Sequence, residues 1–315
     1  MFEPKVRQIV SRIGRFLLWL GSRVAVIYLA VFLAFYFFLD ISPAVRTAQL
    51  RVLNRVIPTS GKYLIDLMDR KAEFDKDRMA EHLLYFQKVV EFLPQRADSH
   101  AMLGFCYFYA GQTKKALAGY ERSVELNPAF FWSDYNLGLL YFKEGRYQQA
   151  VEPLHLALST NPEVTLAIFY SSKVYGDIIQ EENIPQGEVL RRLQEGYADA
   201  RRLLVLSYYA LGEYQKMFEE AARAIQLQQD RDGFFHYYAG LAAYHTQDHR
   251  STVLFLDQFL KRNPGHKEAL YHMAMAVRAM GQPALADNFM KRHAAAGESE
   301  GLLEQAREGL RVRIF

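Results

Sequence analysis

Five residues recur together at an interval of 34 positions. Gly104, Tyr107, Gly111, Ala116 and Pro128 return as Gly138, Tyr141, Gly145, Ala150 and Pro162. A fixed period of this length restricts the chain to a solenoid, because each unit has an apolar face that only a stacked neighbour can cover. Such arrays offer surfaces to partners, so the period argues for binding ahead of chemistry.

Each unit reads as two antiparallel helices. Small residues stand where the helices cross, Gly104 with Ala116 and Gly138 with Ala150. A larger side chain there would push the axes apart. Gly111 and Gly145 fall between the helices, where a left-handed backbone is required and glycine adopts it without a Cβ clash. Pro128 and Pro162 follow Asn127 and Asn161 and stop the second helix. Leu103, Tyr107 and Tyr120, then Leu137, Tyr141 and Leu154, fill the spaces between helices.

Over about 97–162 this pattern resembles the tetratricopeptide repeat (TPR) family. The resemblance implies an all-α fold, a right-handed superhelical solenoid. Weaker copies follow. Residues 198–230 keep Leu204, Tyr208, Gly212 and Ala224; 233–264 keep Gly240, Leu256 and Pro264; 267–298 keep Gly281 and Ala286. The stretch 165–197 keeps Tyr175, places Ser172 at the small position, and carries a loop, Gln180–Gly187, longer than the family turn. Together 97–298 form the repeat region. Upstream, 63–96 reads as a degenerate capping repeat whose second helix, Asp77 to Leu93, closes at Pro94. Residues 299–315 read as a C-terminal capping helix, starting near Glu298, and a tail. Pro153 sits inside a second helix, where it removes a backbone hydrogen bond; a kink and a bend between two halves are expected there.

The start of the chain carries a second signal. Val24 to Leu39 has neither charge nor proline, and Phe16–Leu20 extends it. Residues 16–40 therefore suffice for a transmembrane helix, with Arg23 snorkelling to the interface. The run is long for a signal peptide and ends in bulky Phe37, Phe38 and Leu39 without a small-residue cleavage site. Residues 1–15 form a basic leader. Residues 41–62 form a basic amphipathic juxtamembrane segment, in which Arg46, Arg51 and Arg55 meet the membrane surface or, alternatively, the helix packs on the first repeat. Flanking charge favours a cytoplasmic N-terminus by a narrow margin. This places the chain as a single-pass protein of the inner (cytoplasmic) membrane with periplasmic repeats.

Charge divides along the chain. Residues 1–62 hold nine Lys and Arg against two Asp and Glu, and the remainder 29 against 33. The basic excess belongs to the membrane-proximal piece. The mildly acidic repeats disfavour nucleic acid as a partner.

Nothing in the sequence marks a reaction centre. The lone cysteine, Cys106, falls within a strong repeat, where burial is expected. His245 and His249 straddle a turn, and His100 and His236 occupy one repeated helical position suited to packing or groove lining. There is no phosphate loop, nucleophile elbow or zincin motif. No catalytic, cofactor or metal role is assigned.

The resemblance also implies a groove lined by the first helices. Its slots hold Phe105, Phe108, Trp132, Tyr135, Leu139, Phe142, Phe169, Leu206, Tyr209, Phe234, Tyr237, Leu241, Tyr244, Tyr271 and Met275, with Tyr109 alongside. An exposed aromatic stripe of this kind would capture an amphipathic helix or apolar peptide. The family's alternative carboxylate clamp is not carried over: of its residues only Asn136 matches, and Ala101 and Phe105 stand in the basic slots. The expected function is a membrane-anchored scaffold that binds partner proteins during assembly or maintenance of an envelope complex. The alternatives are a permanent accessory subunit of a membrane complex and a cytoplasmic-side regulator of a membrane enzyme.

Overall fold

A computed structural model of the chain describes residues 23, 26–28, 79–128, 130–172, 176, 179, 183–297 and 310–313. The chain divides into two compact units, Met1–Leu64 and Ile65–Phe315. Of the first, only Arg23 and Val26–Tyr28 are described; they are helical and exposed. The rest of the expected span 16–40, the juxtamembrane segment with Arg46, Arg51 and Arg55, the first helix of 63–96 and the capping helix from Glu298 to Gly309 lie outside the described residues. Among the described residues no helix is long and apolar enough to cross a membrane.

Helices are the regular elements of the second unit among its described residues. Helix α1 (Met79–Phe92) precedes two hairpins, α2 (Ala97–Tyr109) with α3 (Thr113–Leu126) and α4 (Phe131–Lys143) with α5 (Tyr147–Ala157). Then come α6 (Pro162–Ser171), the long α7 (Gln186–Leu211) with α8 (Tyr214–Gln226), α9 (Phe234–His245) with α10 (His249–Arg262), and α11 (Lys267–Ala279) with α12 (Pro283–Ala295).

Hairpin turns follow one rule. Gly111 and Gly145 have φ of +73° and +74°. At the first, the Gly111 N–H donates to the Phe108 carbonyl at 2.9 Å and the Gln112 N–H to that of Tyr107 at 2.8 Å. This double bond is a Schellman closure, which needs a left-handed residue at its centre. Gly145, Gly212 and Gly281 repeat it. In the α9–α10 hairpin the same position is Gln247, at φ +62°.

Helix crossings are equally local. A Cβ on Gly138 would stand 2.6 Å from Leu154 Cγ, and one on Gly240 2.7 Å from that of Leu256. Ala116, Ala150, Ala224 and Ala286, their small counterparts, are fully buried. Ladder tyrosines tie three hairpins to an earlier helix: the Tyr107 hydroxyl accepts from Gln87 at 3.0 Å, that of Tyr141 donates to Glu121, and that of Tyr208 pairs with His155 at 2.6 Å. Burial and the Glu121 carboxylate push the Tyr141 phenol up to about 12, so it stays a donor.

Those three partners stand 34 residues apart, but Tyr208 reaches past 165–197 to do so. The irregular stretch is therefore not another full repeat in the stack. α7 runs unbroken through the expected boundary near residue 197, and its C-terminal half packs against α5. Gly196 lies within it as a contact point rather than a turn: its Cβ would meet the Trp132 ring at 2.5 Å and Phe131 at 2.9 Å. With no proline or turn sequence between Gln186 and Leu211, nothing local stops the helix. α5 likewise continues through Pro153, which is buried within it.

Candidate functional site

Helix α4 has no open face. Every residue from Phe131 to Phe142 is buried, although a groove-lining first helix should keep a stripe in solvent. Two neighbours account for much of this. On one side α7 closes over the start of α4, with Phe131 and Tyr197 stacked at 4.4 Å and 3° and Gly196 against Trp132. On the other lies a segment outside the helices, Leu310–Arg313.

That segment crosses the first-helix face from α2 to α7. The Tyr109 hydroxyl donates to the Val312 carbonyl at 3.3 Å, and the Tyr135 hydroxyl to the Arg311 carbonyl at 3.3 Å. Asn136 pairs with both main-chain groups of one residue: its Nδ2 donates to the Arg313 carbonyl at 2.5 Å, and its Oδ1 accepts from the Arg313 N–H at 2.9 Å. Extended backbone alternates its side chains. Leu310 and Val312 are buried while Arg311 is exposed, and that alternation marks the segment as extended. The Arg313 guanidinium reaches Asp199 of α7 at 2.7 Å.

The electrostatics fit this seating. Burial pushes the Asp199 carboxyl above its ordinary range, and the Arg313 and Arg202 charges oppose that shift. Burial, with the Asp199 charge next, holds the Tyr135 phenol far up, so Tyr135 acts only as a neutral hydroxyl. Beside Arg313 opens a cleft of about 730 Å³, whose walls include Asn161, Glu195, Arg201 and Arg231 as well as Leu158 and Leu227.

The exposed aromatic stripe expected from the sequence is corrected here. Phe105, Trp132, Tyr135, Leu139, Phe142, Phe169 and Leu206 are almost completely buried, and Phe234, Tyr237 and Leu241 nearly so. Phe108, Tyr209, Tyr244 and Met275 are half-buried. Only Tyr109 and Tyr271, at 44% and 39% exposure, face solvent substantially. The rings are large enough to fill the space between adjacent first helices, so they serve as packing. Trp132, for example, contacts Tyr135 edge-on at 5.5 Å, and Phe234 packs on Tyr238 at 4.6 Å.

The structure brings Tyr109 and Tyr135 together on the segment and leaves Tyr244 and Tyr271 beside His272 at 4.5 and 5.4 Å. Asn136 and Asp199, given no site role from the sequence, make the most specific contacts. The available signal was the strict apolar–basic alternation of Leu310, Arg311, Val312 and Arg313.

Other groups fall into structural roles. Cys106 is buried, its thiol pushed up to about 12 by desolvation. His100 bonds the Pro94 carbonyl at 2.9 Å, His236 pairs with Asp230, and His245 stacks on Tyr214 at 4.0 Å. No cluster of three or more metal-ligating side chains occurs among the described residues.

Two family models match the chain, both described as tetratricopeptide repeat, over residues 97–130 and 135–163. Among solved structures, the chain is similar to YrrB, described as a TPR protein with an unusual peptide-binding site. The identity is 15%, the match covers 71% of this chain and 97% of YrrB, and the TM-score is 0.51. It also matches a tetratricopeptide repeat protein from Parabacteroides merdae ATCC 43184, at 13% identity, 83% and 90% coverage and a TM-score of 0.33. No curated protein matches. The chain therefore carries tetratricopeptide repeats over 97–130 and 135–163, within a stack of helical hairpins whose fold is similar to that of YrrB.

Proposed function

We propose that the chain is a protein-interaction scaffold whose first-helix face takes up a partner's polypeptide in extended form. One observation carries this: side chains of α2 and α4 bond the main chain of an extended segment at three successive residues, Arg311, Val312 and Arg313. Main-chain bonds give affinity for any extended segment, and flanking pockets choose among side chains. The extended form replaces the amphipathic helix expected from the sequence, because an amide clamp such as Asn136 reads a backbone whose N–H and C=O groups are free. A helix has consumed those groups internally.

The proposal includes a membrane tether. Its support is the apolar run from Val24 to Leu39 and the basic residues flanking it. A tether would raise the local concentration of the binding face near membrane-associated partners. Inner-membrane placement with periplasmic repeats belongs to the same proposal.

Two experiments test it. A photoreactive amino acid replacing Tyr109 in the intact, membrane-associated chain should crosslink a partner through an extended stretch, and Asn136→Ala should reduce the yield at least fivefold. Unchanged yield removes the first-helix face from the account. An alkaline-phosphatase fusion after residue 315 should be active; an inactive fusion alongside an active cytoplasmic reporter reverses the topology.

A further inference from the structure

Segment 310–313 occupies the face that a partner would need. We infer that it is an internal ligand, held in cis, which an incoming peptide must displace, and that it displays the sequence pattern the site selects. The second half of this inference rests on the first-helix face being a peptide site.

The pattern follows from what each residue meets. Leu310 and Val312 are buried in the hydrophobic core of the repeats, at 7% and 2% exposure. Arg311 points to solvent between them. Arg313 is fixed twice, its backbone by Asn136 and its guanidinium by Asp199. The selected partner is therefore an extended stretch reading apolar–any–apolar–arginine. Arginine is specified at the last position because Asp199, a partly buried carboxylate, loses its direct ion pair when the guanidinium is absent. The guanidinium also keeps its charge at any working pH.

Displacement is demanding because the competitor is attached. Twelve residues, 298–309, separate the repeats from the segment. A segment joined to its site within one chain faces it at an effective concentration on the order of millimolar. An internal segment of about 10–100 μM intrinsic affinity would then weaken the binding of a free peptide roughly 10- to 100-fold relative to an unoccupied face. The device sets a threshold, so that only tight or locally concentrated partners enter.

The test uses the full chain and a fluorescein-labelled peptide with the sequence of residues 309–315, Gly-Leu-Arg-Val-Arg-Ile-Phe. Anisotropy titrations compare the native chain with Val312→Asp, which loosens the segment without altering α2, α4 or α7. The variant should bind the peptide at least tenfold more tightly than the native chain. Adding Asn136→Ala to it should abolish that gain. Adding Asp199→Asn should abolish the preference for this peptide over one with glutamine at the Arg313 position. Equal affinity of the native chain and Val312→Asp overturns the internal ligand while leaving the peptide site intact. No binding by either overturns the peptide site itself. A concentration-dependent dimer that disappears in Val312→Asp overturns the cis arrangement in favour of exchange between copies. Independently of any variant, trypsin should cut after Arg311 and Arg313 at least tenfold more slowly in the native chain than in the free peptide. Equal rates overturn the seating.

Discussion

The hairpin α4–α5 and the hairpin α9–α10 have the same architecture and opposite surroundings. In α4 every residue from Phe131 to Phe142 is buried, enclosed by α7 and by segment 310–313. In α9 nine residues are buried, but Tyr244 is half-exposed and His245 exposed. Burial falls further along the chain, to six residues in α11 and to Ala286 alone in α12. The first hairpin closes on Gly145 and the second on Gln247. A repeat fold thus tolerates large differences in covering, because each hairpin needs only its own crossing contacts and its neighbours to form. What differs is what the first-helix face has left to offer: a clamped, occupied site at one end, and a half-open row of tyrosines and histidines at the other.

The largest expected effect lies at the junction between these ends. Arg201 of α7 and Glu220 of α8 form a nearly solvent-free ion pair at 3.4 Å, with side chains 6% and 11% exposed. Burial lowers the Arg201 pKa, and the Glu220 charge opposes that. Glu220→Ala leaves the guanidinium buried and uncompensated, which costs about 3–5 kcal/mol. Urea unfolding should show that loss; a change under 1 kcal/mol would mean that the two ends do not depend on this joint.

Gly196→Ala comes next. Its new methyl would collide with the Trp132 and Phe131 rings, which neighbouring aromatics hold in place, at an expected cost of about 2–3 kcal/mol. The corresponding Gly240→Ala meets one leucine, Leu256, at Cγ and Cδ2 (2.7 Å each), in place of two packed rings, and should cost about 1–1.5 kcal/mol. Equal costs would remove the distinction between a closed and an open first-helix face.

The third prediction uses pH. Burial, then the charges of His245 and His266, lower His272 to about 4. Its unfolded value is 6.5, so the folded chain binds fewer protons between these values. Stability is full above pH 6.5 and is lost as pH falls through 6.5 toward 4, by about 2 kcal/mol after allowance for partial exposure. Amide exchange in α9 to α11 should accelerate at pH 4.5 relative to pH 7, and His272→Gln should flatten the dependence. If exchange in α4 responded more strongly to His272→Gln than exchange in α11, the assignment to this end would fail.

The smallest effect tests the turn rule. Gln247 holds the left-handed position that glycine fills in the other hairpins, at a steric cost to its Cβ. Gln247→Gly should raise stability by about 0.5–1 kcal/mol in thermal unfolding, whereas Gly145→Gln should lower it by a similar amount. A destabilised Gln247→Gly would show that its side chain does more than its backbone requires.

Legibility followed the range of the interactions involved. Gly111, Gly145, Gly212 and Gly281 were readable because a Schellman closure is set by a few consecutive residues. Gly104 and Gly138 were readable because the crossing partner lies within the same 34-residue unit. The continuous α7 was harder, since no stop signal exists but the repeat register suggested a boundary. The site was legible only as a location. Tyr109 and Tyr135 were singled out as aromatic anchors, yet they act through their hydroxyls on a backbone.

From its sequence alone, this protein is determined to be a stack of helical hairpins with small crossings and glycine turns, because each of those choices is made within one unit. Only the tertiary structure decides what the first-helix face does. Asn136 and Arg313 are separated by 177 positions, and Asp199 and Arg313 by 114. No periodicity encodes a contact of that range; it exists because the stack brings a buried amide and a partly buried carboxylate to a strip where an alternating apolar–basic segment lies extended.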